Sequence, residues 1–163
     1  MAEQQYLSFF VAGEEYAIAI LQVTEIIAAP AMTKVPSTPE WIRGVLNLRG
    51  AVVPVIDLGA KLGLAAAQVT PRTCVVIVEV RRGDDLLKIG IMADSVHQVI
   101  GLSGDQIQPP PSFGTNVKVE EIVGMALLDH KLVLLLDVDR VLTWSESGTV
   151  ASLAGSEVAA EAQ

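Results

Sequence analysis

The chain carries one pattern twice, and that constrains its fold more than any other feature. "IRGVLNLRGAVVPVIDL" spans residues 42–58, and "IVGMALLDHKLVLLLDV" spans 122–138. Each opens Ile-x-Gly, then runs as an apolar stretch, a short polar tip, a second apolar stretch and an Asp. Gly44 stands 13 positions before Asp57, and Gly124 stands 13 before Asp137. The tips, Arg49-Gly50 and Asp129-His130, coincide. A weaker match lies upstream, where "LQVTEII" (21–27) resembles "DSVHQVI" (94–100), with Val23 over Val96 and Ile27 over Ile100. A proline-bearing loop follows each upstream element. The spacing implies a duplicated unit of roughly 75–80 residues per copy.

The repeated elements read as strands. Tyr16, Ile18 and Ile20 alternate with Ala17 and Ala19, and "VVIVEV" (75–80), "KIGIMA" (88–93) and "KLVLLLD" (131–137) are short, β-rich and bounded by Gly, Asp or Pro. Helices are few and short. Ser37 or Thr38 before Pro39 predicts a helix start over "STPEWI"; Asp57 is placed to cap "LGAKLG", and Asp137 or Asp139 to cap "RVLTW". Pro54 inside an apolar run predicts an edge strand or a bulge. Short strands at this spacing predict two small antiparallel barrels or sandwiches. Residues 1–145 are expected to form one domain of two pseudo-repeated barrels, and 146–163 a flexible, acidic tail rich in Ala and Ser.

Composition narrows the function. Net charge is -8, which argues against nucleic acid and against an anionic membrane surface as partners. The longest apolar runs fall far short of the roughly 18 residues a membrane span needs, and "MAEQQYLSFF" lacks a secretory signal's basic start. With one cysteine, Cys74, no internal disulfide is possible. These features predict a cytoplasmic protein without membrane insertion. Neither phosphate-cradling glycine motif is present. His97, His130 and Cys74 are single and far apart, so no metal or cofactor is expected. Asp137 and Asp139 would share one face if extended, but capping after a strand is the simpler role. The pattern is that of a binding protein, not a catalyst.

"GEEYAIAILQVTEII" (13–27), "VPSTPEWIRGVLNLRGAVVPVIDL" (35–58), "GIMADSVHQVI" (90–100), "QIQPPPSF" (106–113) and "IVGMALLDHKLVLLLDVDRVL" (122–142) together resemble the CheW-like coupling proteins of bacterial chemosensory arrays. The resemblance covers most of residues 6–142. It implies two SH3-like five-stranded β-barrels packed together, and a non-enzymatic adaptor. Its implied partners are the regulatory domain of a CheA-like histidine kinase and the helical hairpin tip of a methyl-accepting chemotaxis receptor. It also implies recruitment to membrane-associated receptor arrays; because acidic surfaces at a net charge of -8 should not self-associate strongly, a monomer is expected alone, with rings only with partners.

The resemblance assigns Val23, Glu25, Arg49 and Gly90 to the receptor groove. In it an amphipathic helix would lie on apolar surface, with Arg49 and Glu25 fixing its register. The plainer reading of Arg49 and Glu25 is a surface ion pair of little weight. The resemblance assigns Phe113 to the kinase or ring interface, with plain core packing as the alternative; Val35 and Val53 are expected there as apolar residues flanking a loop of the first barrel, beside the edge-strand signal of Pro54. Gln108 stands where relatives often carry a base. The segment "VEVRRGDDLLKIG" (78–90) departs from the family by a longer, more charged tip. Flagellar, pilus and surface-sensing pathways all use such adaptors, and the sequence does not choose among them. The rival is a ligand-binding regulator or enzyme using the cleft between barrels, which would need converging polar residues there.

Overall fold

The structure is a computed structural model that describes residues 3–28, 31–63, 69–109 and 122–140. Its strands are β1 (Gln4–Val11), β2 (Glu14–Ala19), β3 (Val23–Ala28), β4 (Ile42–Leu48), β5 (Ala51–Asp57), β6 (Cys74–Arg82), β7 (Asp85–Ala93), β8 (Ser95–Leu102), β9 (Ile122–Leu128) and β10 (Lys131–Leu136). They form two five-stranded sheets, in the orders β8-β1-β2-β10-β9 and β3-β6-β7-β5-β4. The protein is mostly β, as the short alternating runs predicted. The expected tail over 146–163 and Phe113 lie outside the described residues.

Each strand of one sheet has its counterpart five strands away in the other: β1 answers to β6, β2 to β7, and β3, β4 and β5 to β8, β9 and β10. The sheets nevertheless do not follow the two copies. The first sheet takes β1 and β2 from the first copy and β8 to β10 from the second; the other sheet takes the complement. Each sheet has two joins between the copies: an antiparallel one, β8 with β1 or β3 with β6, and a parallel one, Leu134 beside Tyr16 in one sheet and Ile56 beside Ile91 in the other. The sheets are therefore not wholly antiparallel, contrary to the sequence-based expectation. Parallel neighbours require a long connection, and the chain supplies it by crossing between sheets.

The Ile-x-Gly signature has a physical cause. Ile42 pairs with Ile56 and Gly44 with Val55, which leaves Arg43 as a bulge; Ile122 pairs with Leu136 and Gly124 with Leu135, which leaves Val123 as one. The glycines allow the preceding loop to close onto the sheet edge. A Cβ at Gly44 would stand 2.5 Å from the Thr33 carbonyl oxygen, and one at Gly124 2.7 Å from Cγ2 of Ile107. Thr33 and Val45 exchange both backbone hydrogen bonds (2.8 Å each), as do Gln108 and Met125 (2.9 and 3.0 Å). These bridges cap edge strands β4 and β9, which would otherwise offer unpaired backbone to another chain. Both polar tips turn through two residues at positive φ, Arg49 and Gly50 at 51° and 89°, Asp129 and His130 at 48° and 65°. That is the turn whose twist matches paired strands.

Pro54 lies in an interior strand, so the edge-strand prediction is corrected. Both backbone groups of its partner Val45 are occupied by Thr33. The Pro54 nitrogen therefore faces the other side, where pairing with β7 begins only at Val55. No hydrogen bond is lost there. The helix expected over "STPEWI" is a turn instead, held by Thr38 Oγ1 donating to the Val35 carbonyl (2.8 Å) and Ile42 N to that of Pro39 (3.0 Å). Asp57 does cap a helix, α1 (Leu58–Lys61), by accepting from Ala60 N at 3.1 Å.

Three apolar clusters hold the molecule. The largest lies between the sheets, with Phe9, Tyr16 and Ile18 from one meeting Val76, Val78 and Ile89 from the other. Ala17, Leu102, Val133 and Leu135 fill the inside of the first sheet, and Leu46, Val53, Val55, Val75, Ile77 and Met92 that of the second. Ile27 and Leu46, from opposite edges of the second sheet, pack in the same cluster, so that sheet curls on itself.

Candidate functional site

The curled second sheet has a mouth, and its chemistry follows from strand register. Side chains alternate between faces. On β6, Val76, Val78 and Val80 enter the core between sheets, while Val75, Ile77 and Glu79 face the inside of the curl. On β7, Leu87, Ile89 and Ile91 take the first side, and Leu86, Lys88, Gly90 and Met92 the second. Glu79 pairs with Lys88, and Ile77 with Gly90. Moving toward the β6–β7 tip, the inner face thus changes from wholly apolar to charged.

Glu25 on β3 stands level with Ile77. Arg49, at the tip between β4 and β5, reaches across to it. Nη1 donates to Oε2 at 3.1 Å and Nη2 to Oε1 at 2.5 Å, a forked pair that joins the two edges of the sheet. The Arg49 side chain is 68% exposed and that of Glu25 30%. The hydrogen bond from Arg49 holds the Glu25 carboxyl below its ordinary value of 4.5; partial desolvation opposes this, and the positive charges of Arg49 and Lys88 add to the lowering. Glu25 therefore stands as a carboxylate between two cations.

Four residues were assigned to one groove, and the structure divides them. Glu25 and Arg49 meet at the mouth. Gly90 lies below it, buried, where a Cβ would stand 2.5 Å from Cγ1 of Val75; its absent side chain makes room for core packing. Val23 packs against the core between the sheets, because the bulge at Thr24 separates it from the face of Glu25.

The second set also divides. Val35 is half-buried and lines an open cleft with Lys34, Pro36, Pro39 and Arg43. Val53 is 1% exposed and sits in the core of the second sheet. It cannot flank a docking loop, and the expectation is corrected: alternation turns it inward. The β9–β10 hairpin does expose a facing apolar pair, Leu127 (65%) and Leu132 (44%), which stand opposite one another. The corresponding pair in the other copy, Asn47 and Val52, lines a cleft of about 360 Å³ with Thr33 and Val45.

Sequence reasoning missed Glu79, Lys88 and Leu86 at the mouth. Alternation within "VVIVEVRR" and "LLKIGIM" carries the signal, but it is readable only once register pairs Glu79 with Lys88. Among the described residues, no three His, Cys, Asp or Glu side chains converge as metal ligands. Asp137 and Asp139 do not face together. Asp137 pairs with Arg140 at 3.5 Å, while Asp139 accepts from the Arg81 backbone N–H at 2.8 Å.

Comparison with known proteins agrees with this architecture. The model of the CheW-like domain family matches residues 5–146. The chain is similar to the chemotaxis protein CheW of Klebsiella aerogenes, 33% identical over 94% of this chain and 90% of that protein. It is likewise similar to the chemotaxis protein CheW of Bacillus subtilis, 33% identical over 85% of this chain and 86% of that protein. The crystal structure of the scaffolding protein CheW from Thermoanaerobacter tengcongensis superposes with a TM-score of 0.77 at 31% identity, covering 88% of this chain and 89% of that one. With two five-stranded sheets related by an internal duplication and a family match running through both, the chain belongs to the CheW-like domain family.

Proposed function

We propose that this protein is a chemotaxis adaptor that joins methyl-accepting receptors to a CheA-type histidine kinase, and that it works by binding alone. One observation carries the reading. Arg49 and Glu25, 24 positions apart, meet as a forked pair across the mouth of a curled sheet, and they are the charged pair that the family resemblance assigns to receptor binding. A helix laid across this mouth would find charge at the rim.

A scaffold needs a second face. Leu127 and Leu132 protrude from one hairpin, while the matching hairpin offers the cleft at Asn47 and Val52. Unlike surfaces at duplicated positions suit head-to-tail association with a domain of the same fold, which builds rings or open arrays. Leu127 and Leu132 take the place first given to Val53, and Val35 and Phe113 stay in this proposed face.

The test combines purified protein, a receptor cytoplasmic hairpin fragment and the kinase regulatory domain. Arg49→Glu should weaken receptor binding and spare the kinase. Leu127→Asp with Leu132→Asp should do the reverse. Circular dichroism of both should match the wild type. Wild-type protein that binds neither partner would refute the adaptor reading, and loss of both activities in both variants would refute two separate faces.

A further inference from the structure

The long, charged hairpin over 78–90, which departs from the family, has a place in the structure. Beyond Ile77 and Gly90 its inner face carries Glu79 and Lys88, then Arg81 and Leu86. Its opposite face is anchored, because Val80 and Leu87 are buried between the sheets. The hairpin is thus fixed on one side and open on the other. Leu86 is 63% exposed. Across the mouth stand Glu25 and Arg49, and Lys88 is near enough to act on the charge of Glu25. Among the described residues Lys88 has no ion-pair partner within 4 Å.

We infer that the inner face of this hairpin is the selectivity lip of the receptor groove, with Lys88 recognising an acidic side chain and Leu86 an apolar neighbour on a docked receptor helix. The inference rests on the adaptor reading and adds the chemistry of the partner. On the inner face of the curl, Arg49, Arg81 and Lys88 outnumber Glu25 and Glu79, although Asp139 reaches the Arg81 backbone N–H from the sheet edge and the protein as a whole carries a net charge of -8. A local cationic excess on an acidic surface attracts acid where the remaining surface repels it. Arg49 is already forked onto Glu25, so its charge is largely answered within the protein. Arg81 and Lys88 are the cations left to address a partner, and of the two Lys88 is the one that acts on Glu25 at the mouth. The occupant is accordingly one turn of amphipathic helix with Asp or Glu beside an aliphatic residue, and a basic helix tip is disfavoured.

The experiment measures the affinity of a purified receptor cytoplasmic hairpin fragment for the full chain. A second fragment has its surface acids at the tip replaced by lysine. Lys88→Glu should weaken binding of the first fragment roughly three- to tenfold at low salt, the scale of one partly exposed charge reversed. The loss should shrink as salt rises, and the lysine fragment should bind Lys88→Glu better than wild type. Lys88→Gln, measured alongside, keeps the readout if Glu beside Glu79 disturbs folding; a smaller loss in the same direction is expected. If both Lys88 variants bind like wild type while Arg49→Glu loses affinity, the lip is refuted and the adaptor reading stands. If wild type binds neither fragment, the adaptor reading falls, and this inference with it.

Discussion

Replacing Gly44 by Ala tests the origin of the Ile-x-Gly signature, because its counterpart Gly124 provides an internal control. At Gly44 the new methyl would stand 2.5 Å from the Thr33 carbonyl oxygen and 3.1 Å from its carbon, and φ is +154°. The obstacle is backbone, so the loop must retreat from β4. The two 2.8 Å hydrogen bonds between Thr33 and Val45 would then be stretched or lost, at about 0.5–1.5 kcal/mol each. The backbone angle adds about 1 kcal/mol or more. The expected cost is therefore about 3 kcal/mol, which lowers the melting temperature of a domain this size by about 6–12 °C. At Gly124 the nearest atom is a side-chain methyl, Cγ2 of Ile107 at 2.7 Å, and the nearest backbone oxygen is 3.2 Å away. Ile107 can shift, so the cost should be about 1 kcal/mol. Urea unfolding of both variants gives the comparison. Hydrogen exchange at the Val45 amide should quicken only in Gly44→Ala, since that amide donates to Thr33. Equal destabilisation, or an unchanged Val45 exchange rate in a destabilised Gly44→Ala, would refute the account.

The Glu25 carboxyl is held below 4.5, first by its hydrogen bond from Arg49. A depressed folded value means that the pair's stabilisation is full above the ordinary glutamate range and is lost as pH falls through the folded value; in a carboxyl-detected NMR titration, Arg49→Ala should move Glu25 upward, and an unmoved curve counts against the fork. Ser8 is fully buried with no hydrogen-bond partner for Oγ among the described residues. Ser8→Ala should therefore be neutral or stabilising by up to about 1 kcal/mol, and a loss larger than that in urea would reveal an unseen partner. Val53→Asp should unfold the protein rather than remove one partner, because it places a charge in a closed apolar cluster and costs upward of about 4 kcal/mol; a cooperative, near-native melt would contradict the burial of Val53.

Much of the local structure was legible in the sequence because its causes are local. Two-residue tips between apolar runs give hairpins at Arg49-Gly50 and Asp129-His130, and Asp57 caps α1 through an amide three residues on. The repeat itself could be aligned by eye, and even its bulges at Arg43 and Val123 fall at the x of Ile-x-Gly. The charged pair Glu25 and Arg49, 24 positions apart, is legible only through the family resemblance. What misled was burial. Val53 and Leu132 belong to similar apolar runs, yet one is enclosed and the other is 44% exposed. The face a strand residue takes depends on register with partners far along the chain.

The sequence alone determined that there are two equivalent sets of strands and where their hairpins turn. It did not determine which strands share a sheet. A β1–β2 hairpin could pair with β3 to β5 of its own copy or β8 to β10 of the other, since duplicated strands offer equivalent edges and the same backbone hydrogen bonds. The tertiary structure decided for exchange, with β2 beside β10 and β7 beside β5. The short 3-10 turn Ile20–Gln22 carries the chain from one sheet into the other. The exchange also buries Phe9, Ile18, Val78 and Ile89 in a core between the sheets. Because each sheet draws on both copies, neither copy completes a sheet without the other, and that dependence arises from non-local pairing that no residue pattern within one copy can express.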